Sequence, residues 1–342
     1  MIGTLLTKGQ GLGNQLFCYV TTRCIAIDNG YDFSILGKET MARNIHSDCG
    51  LYFMDLDYGL ESDAKNYTSE YQEKDIRLFA PNSKHDAFLY GACVSPTDED
   101  MRHIPDNTLI SGIMQSEDYF LHHRDEICKW LKVKDEYDCY EYSRDDLCII
   151  DLRCGDYMDS PELFLSKKYW INGMKHMKTI NPRMEFLIIT NDVKEANKLL
   201  PGIPAINNDL AKDYSIIKNA KYLLSSNSSF VYFPVFTSTT LKYVLAPKYW
   251  ARHNYSDGYW SAEQNIYESF NYMDRHGRVY TADECRQELH RYKEKSAKYK
   301  RLGQKPDGIK VPVWKIIVKL RYMNYRMDRI ARGVFRRMGL YR

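Results

Sequence analysis

Four short segments carry the residue types that could handle a charged ligand. In Asp151-Leu152-Arg153-Cys154-Gly155-Asp156-Tyr157 a guanidinium follows directly on the apolar run Leu147-Cys148-Ile149-Ile150, where a strand should hand over to a loop. Ligands of open α/β sheets sit outside the carboxyl ends of strands, and a fixed guanidinium there can meet an anionic group through two parallel hydrogen bonds. A structural ion pair with Asp156 is the blander use of the same residue. Gly9-Gln10-Gly11-Leu12-Gly13-Asn14-Gln15 follows the strand-like Ile2 to Thr7 and leads into a helical stretch from Asn14 to Asn29. Its glycines permit close backbone approach and a sharp entry into a helix whose first amides favour anions. Three glycines at alternate positions are not the dinucleotide fingerprint, and no acid on a second strand stands at the usual spacing. Gly112-Ile113-Met114-Gln115-Ser116-Glu117-Asp118-Tyr119-Phe120 and Ser225-Ser226-Asn227-Ser228-Ser229-Phe230 complete the set. Taken singly, each reads as an ordinary loop or helix cap.

The elements that must position these segments alternate along the first 250 residues. Apolar runs at Ile2 to Thr7, Tyr31 to Leu36, Leu147 to Leu152, Glu185 to Thr190, Tyr222 to Ser225 and Leu241 to Ala246 are separated by helical stretches. That order predicts parallel sheets with crossover helices. The charged stretch Lys132 to Asp146 precedes a fresh strand and marks the expected boundary between two halves, whereas residues 31 to 110, rich in acids and tyrosines, show no clear period.

Together and in this order, the segments resemble glycosyltransferase family 11, the inverting α-1,2-fucosyltransferases that act on galactosides. Those proteins open with a strand and Gly-Gly-Leu-Gly-Asn-Gln. They then carry Gly-Tyr-Trp-Gln-Ser-Glu-x-Tyr-Phe, His-x-Arg-Arg-Gly-Asp-Tyr and later Asn-Ser-Ser-Phe. The likeness runs from about Ile2 to Trp250 and takes in Thr190-Asn191-Asp192 and Leu245-Ala246-Pro247-Lys248-Tyr249-Trp250. It implies a GT-B-like α/β fold, with two facing Rossmann-like domains, a cleft between them and a helical, basic C-terminal extension. The divisions expected are an acceptor-side domain at 1–140, a nucleotide-sugar domain at 141–260 and the extension at 261–342. The resemblance implies GDP-β-L-fucose as donor, a galactoside or lipid-linked oligosaccharide as acceptor, and no metal ion or other cofactor.

On this reading Arg153 stabilises the leaving diphosphate, whose negative charge grows during transfer. Asp156 orients Arg153, because a carboxylate paired with a guanidinium is a poor proton acceptor. Asn227, Ser228, Ser229 and Phe230 bind the same donor from one domain, while Gly11, Gly13, Asn14 and Gln15 close the cleft from the other. Glu162 is a candidate near the acceptor hydroxyl. Two positions depart from the family: Asp151 stands where it has His, and Cys154 where it has a second Arg. Asp151 therefore brings a carboxylate near the expected diphosphate and is the position at which donor choice could change. Another nucleotide-sugar donor, or a catalytically silent binding protein of the same fold, are the alternatives.

Composition is that of an ordinary soluble globular protein. The chain has 342 residues, 44% of them apolar and 27% charged, which is enough for two cores. Its nine cysteines are scattered, odd in number and without a Cys-x-x-Cys pair, so neither a disulfide framework nor a zinc site is expected. Without a basic start followed by an apolar stretch, and with no run approaching ~20 apolar residues, a cytoplasmic protein of bacterial type is expected, peripheral at most on the inner face of the membrane. The net charge of +3 is unevenly spread: residues 286–342 hold 18 Lys and Arg against 4 Asp and Glu, leaving −11 on the first 285. Val313, Ile316, Leu320, Met323, Met327, Ile330, Val334, Met338 and Tyr341 recur at three- and four-residue steps among those basic residues. Such a basic amphipathic helix suits a membrane surface, and packing on its own protein or a second subunit is the other use. The acidic remainder and the lack of a recognition motif argue against nucleic acid.

Three further groups read as bystanders. Asp55-Leu56-Asp57 spells the Asp-x-Asp of metal-dependent glycosyltransferases but lies far from the other segments. His122-His123 reads as polar helix surface, neighbours that point apart and cannot share an ion. Cys154 is not needed as a nucleophile, since inverting transfer forms no covalent intermediate.

Overall fold

The computed structural model describes residues 1–43, 51–74, 77–78, 93–94, 96–159, 163–254, 260, 262–296 and 308–338. A first sheet comprises β1 (Ile2–Leu5), β2 (Phe33–Leu36), β3 (Ser69–Gln72) and, after the small antiparallel ribbon of β4 (Arg77–Leu78) and β5 (Cys93–Val94), β6 (Thr108–Ser111). Its order is β2-β1-β6-β3, all parallel. A second sheet comprises β7 (Leu147–Leu152), β8 (Glu185–Thr190), β9 (Ala205–Ile206), β10 (Tyr222–Ser225), β11 (Tyr243–Pro247), β12 (Asn271–Met273) and β13 (Val279–Thr281). Their order is β13-β12-β11-β10-β7-β8-β9, parallel except for the last hairpin β12–β13. Two facing parallel α/β units of this kind make a GT-B architecture. The helical extension expected from residue 261 begins later, because β12 and β13 add to the second sheet before the helices start.

Strand order explains where a site must form. From β7 the chain moves outward through β8 and β9, then returns to place β10 on the opposite side of β7. The direction in which strands are added to the sheet therefore reverses between the parallel neighbours β7 and β10, and the loops leaving their carboxyl ends diverge to open a crevice. All six residues of β7 are buried, as a central parallel strand requires. Alternate side chains serve two cores: Leu147 and Ile149 face one, and Cys148, Ile150 and Leu152 the other.

The helices of the body are α1 (Leu12–Asp28), α2 (Arg124–Trp130), α3 (Lys167–Ile180), α4 (Val193–Leu199), α5 (Leu210–Asn219), α6 (Tyr232–Phe236) and α7 (Ala282–Lys295); a last helix spans Val311–Arg337. Side chains start several of them: Asp192 accepts from the Glu195 amide at 3.0 Å, Asp209 accepts from the Lys212 amide at 2.9 Å, and Thr281 and Glu284 form a capping box. Helix α1 is buried on nearly every side because it packs on the first sheet and on the second unit at once. Phe17 lies with its ring 4.6 Å from Tyr232 and 4.9 Å from Phe233, and Tyr267 closes the cluster at 4.4 Å from Tyr232. One continuous apolar core thus runs from Ile2 in β1 to Leu289 in α7.

At its amino end α1 meets the second unit backbone to backbone. A β-carbon on Gly13 would stand 2.4 Å from the Ser229 carbonyl group and 2.5 Å from the Phe230 nitrogen, too close for any side chain. Gly13→Ala should therefore separate the two units locally and destabilise the fold by about 1–3 kcal/mol. A denaturant titration checks this; an unchanged midpoint would mean the contact yields freely.

Candidate functional site

A cavity of about 450 Å³ opens at the carboxyl ends of β7, β8 and β10, with the glycine turn before α1 as its opposite wall. Gly11, Gly13, Asn14, Asp151, Arg153, Ser228, Ser229 and Phe230 all line it. Three of the four sequence segments, far apart along the chain, therefore meet at one space, whereas Gly112 to Phe120 does not line it. Arg153 is half-buried and its guanidinium lies over the Tyr157 ring at 5.1 Å. The turn that carries it is held from below: the Cys154 amide donates to Asn191 Oδ1 at 2.9 Å, and Gly155, with a left-handed φ of +49°, leaves room for the Asn191 amide where a β-carbon would meet it at 2.6 Å. Across the cleft, Ser228 Oγ accepts from the Phe230 amide at 3.2 Å, which shapes the Ser228–Phe230 turn ahead of α6.

The floor is acidic. Asp151, at the end of β7 and 3% exposed, accepts from Ser226 Oγ at 2.6 Å, while the Ser226 amide donates to its carbonyl at 3.0 Å. Burial pushes its carboxyl above the ordinary range, with the Ser226 bonds and the Arg153 charge opposing. The carboxylate is thus tied to β10. It does not project as a free charge towards a diphosphate, which corrects the picture drawn from the His-to-Asp departure. Asp213 on α5 also lines the cavity and accepts from Asn208 Nδ2 at 2.8 Å. Burial drives its pKa from 3.8 up to about 7, opposed by the Asn208 bonds and reinforced by the charge of Asp151.

Not every expected residue reaches the cleft. Gln15 is fully buried and its Nε2 donates to Thr40 Oγ1 at 3.3 Å, on the side of α1 facing the first unit. Asn227 is 3% exposed and does not line the cavity, because the turn swings Ser228 and Ser229 into it instead. The Asp156 side chain and the whole of Glu162 lie outside the described residues. The segment Gly112 to Phe120 is a brace between the units. Gln115 Nε2 donates to Asn14 Oδ1 at 2.9 Å and Gln115 Oε1 accepts from Asn265 Nδ2 at 2.8 Å, while Glu117 accepts from the Tyr232 hydroxyl at 2.9 Å. Lys248, in the other resembling segment, is buried against Glu288 and stands 3.3 Å from the Tyr280 ring centre, fastening α7 to the sheet.

The bystanders separate clearly. Asp55 pairs with Lys134 at 2.8 Å and Asp57 with Arg23 at 3.4 Å, both outside the cleft. Burial raises the Cys154 thiol to about 12, so it is no thiolate at neutral pH. His122 and His123 do share a partner, against expectation. They lie on a 3-10 turn, and both Nε2 atoms reach the Asp28 carboxylate, at 2.9 and 2.8 Å. This trio could hold a metal ion, but it sits at the far end of α1, about 24 Å from the cleft. Sequence reasoning also missed Asn191, Asn208 and Asp213 as cavity residues; Asn191 had a signal in the Thr-Asn-Asp run, whereas Asp213 had none beyond its place on a polar helix face.

No family model and no curated protein matches this chain. Among solved structures, the NodZ α-1,6-fucosyltransferase soaked with GDP-fucose is similar at 11% identity, over 72% of this chain and 94% of that one, with a TM-score of 0.39. The same enzyme co-crystallised with GDP gives 10% identity, the same coverage and 0.39, and its selenomethionine form from Bradyrhizobium gives 10% and 0.36. Similarity this distant assigns nothing by itself, and the fold stands on the chain's own topology.

The floor acid has a thermodynamic signature. Below about pH 4 the Asp213 carboxyl is neutral whether the chain is folded or not. As pH rises from there to about 7 the unfolded chain releases the proton that the folded chain retains, and stability falls across that window. Asp213→Asn should therefore melt above the parent at pH 8, with the advantage fading by pH 4; a pH-independent difference would show that Asp213 titrates normally.

Proposed function

We propose that this chain is an inverting fucosyltransferase that takes L-fucose from GDP-β-L-fucose and delivers it to a hydroxyl of a galactoside, the 2-OH, in surface polysaccharide or glycan synthesis. The observation that carries this reading is the convergence on one cleft of Arg153, the Ser228 and Ser229 hydroxyls and the amides at the start of α1. Such a set suits a diphosphate: a guanidinium makes paired charge-assisted bonds and helix-entry amides add partial positive charge. In transfer, the bond between the sugar's anomeric carbon and the β-phosphate oxygen breaks as the acceptor hydroxyl's oxygen attacks from the opposite face, and the hydroxyl proton is given up to water. Arg153 then neutralises the charge that gathers on the departing GDP. The family-11 pattern in the four segments supports fucose as the sugar. A cytoplasmic enzyme acting without a metal ion, on a galactoside that can be carried by a lipid, is the setting that fits.

Arg153→Ala should lower transfer or slow donor hydrolysis by about 100- to 1000-fold, and Arg153→Lys should recover little of it because an ammonium cannot make the paired contact. Assays run in EDTA should keep the parent's rate. Near-normal turnover in the alanine variant removes the central claim, and a loss in EDTA that added metal reverses removes the metal-free mechanism.

A second reading, transfer of another sugar from its nucleotide, is favoured by Asp151 standing in the cavity lining where the resembling family has histidine. Thermal stabilisation by a panel of nucleotide sugars separates the two, since a ligand at ~100 times its dissociation constant adds ~2.7 kcal/mol. With GDP-fucose as native donor, Asp151→His should retain or strengthen that stabilisation. If instead another nucleotide sugar stabilises the parent and Asp151→His shifts preference towards GDP-fucose, Asp151 selects a different donor.

A further inference from the structure

The last helix, Val311–Arg337, presents its apolar stripe to solvent. Val313, Ile316, Leu320, Met323, Met327, Ile330, Val334 and Met338 are between 48% and 67% exposed, an unbroken row about 38 Å long. Soluble proteins rarely leave so long an apolar face to water. The helix is not a membrane span, since no described helix is long and apolar enough to cross a bilayer. Its charge decides what covers it. It carries eight Lys and Arg against the single acid Asp328. By helical geometry Lys315, Lys319 and Arg326, all exposed, follow one edge of the stripe, from which long side chains can reach outward while the stripe is buried. A second copy would set one strongly basic helix against another with no matching acids. An anionic bilayer satisfies both features, its acyl region taking the stripe and its headgroups the cations.

The helix also lies against the turn Gly155–Asp159, which follows Arg153 out of the cleft. We propose that this face docks reversibly in the plane of an anionic lipid surface and so holds the arginine turn, with the mouth of the cleft, beside the headgroups. Docking stands whatever the donor; its use in meeting a lipid-linked acceptor rests on the transferase reading.

The test is flotation of the full chain with phosphatidylcholine vesicles, with and without one-third phosphatidylglycerol, alongside GDP binding and sedimentation equilibrium on the same samples. The chain should float with the anionic vesicles and be largely released by high salt. Binding should fall by about tenfold or more in Ile316→Asp with Met327→Asp, and likewise in Lys315→Glu with Lys319→Glu. These positions are exposed, so melting temperature and GDP binding should not move. Equal flotation with uncharged vesicles overturns the proposal. So does a dimer that ignores vesicles and is split by Ile316→Asp with Met327→Asp, because the face then belongs to a second copy. Flotation without GDP binding upholds the docking and removes the nucleotide-sugar reading instead.

Discussion

The meeting of Gly13 with the Ser229–Phe230 backbone is the constraint on which the site depends. Because two main chains touch there with no side chain between them, the amino end of α1 and the serine turn stand at a fixed separation. Phe17, Tyr232, Phe233 and Tyr267 extend the same contact into a shared aromatic core, and Gln115 and Glu117 brace its flank. The cleft is thus preorganised: the start of α1 and the serine turn that line it need little movement to meet one ligand together.

Much of this was legible from residue order. The strands β7, β8 and β10 fall where their apolar runs predict, since a strand buried on both faces has few ways to be written. The starts of β2 and β11 come later than expected, at Phe33 and Tyr243, because Tyr31 and Leu241 lie in the connections that lead into them. In residues 31–110 the difficulty was physical. Edge strand β3, Ser69-Glu70-Tyr71-Gln72, is polar and only partly covered, so it carries no burial signal. Gln15 and Asn227 were misplaced for another reason: adjacency to a cleft residue says nothing about direction, since one step along α1 turns a side chain by about 100° and the turn after β10 brings Ser228 rather than Asn227 to the cavity.

Asp151 illustrates what sequence comparison cannot resolve. A histidine-to-aspartate change reads as a new charge at a phosphate site, yet the side chain is spent on Ser226 across the β7–β10 pairing and burial favours its neutral form. Two acids, Asp151 and Asp213, then give the cavity floor an acceptor-rich, proton-holding character. Arg153 and the serine turn supply the donors above them.

The core that runs without a break from β1 to α7 has a consequence for how such a protein can change. Facing α/β units joined by a wet, polar seam can be recombined, each half bringing its own specificity. Here the seam is packed with the rings of Phe17, Tyr232, Phe233 and Tyr267, and a transplanted first half would have to reproduce the shape of α1 around Phe17 to seat at all. New specificity must therefore arise in the loops that rim the cleft, leaving the two halves to be inherited as one piece.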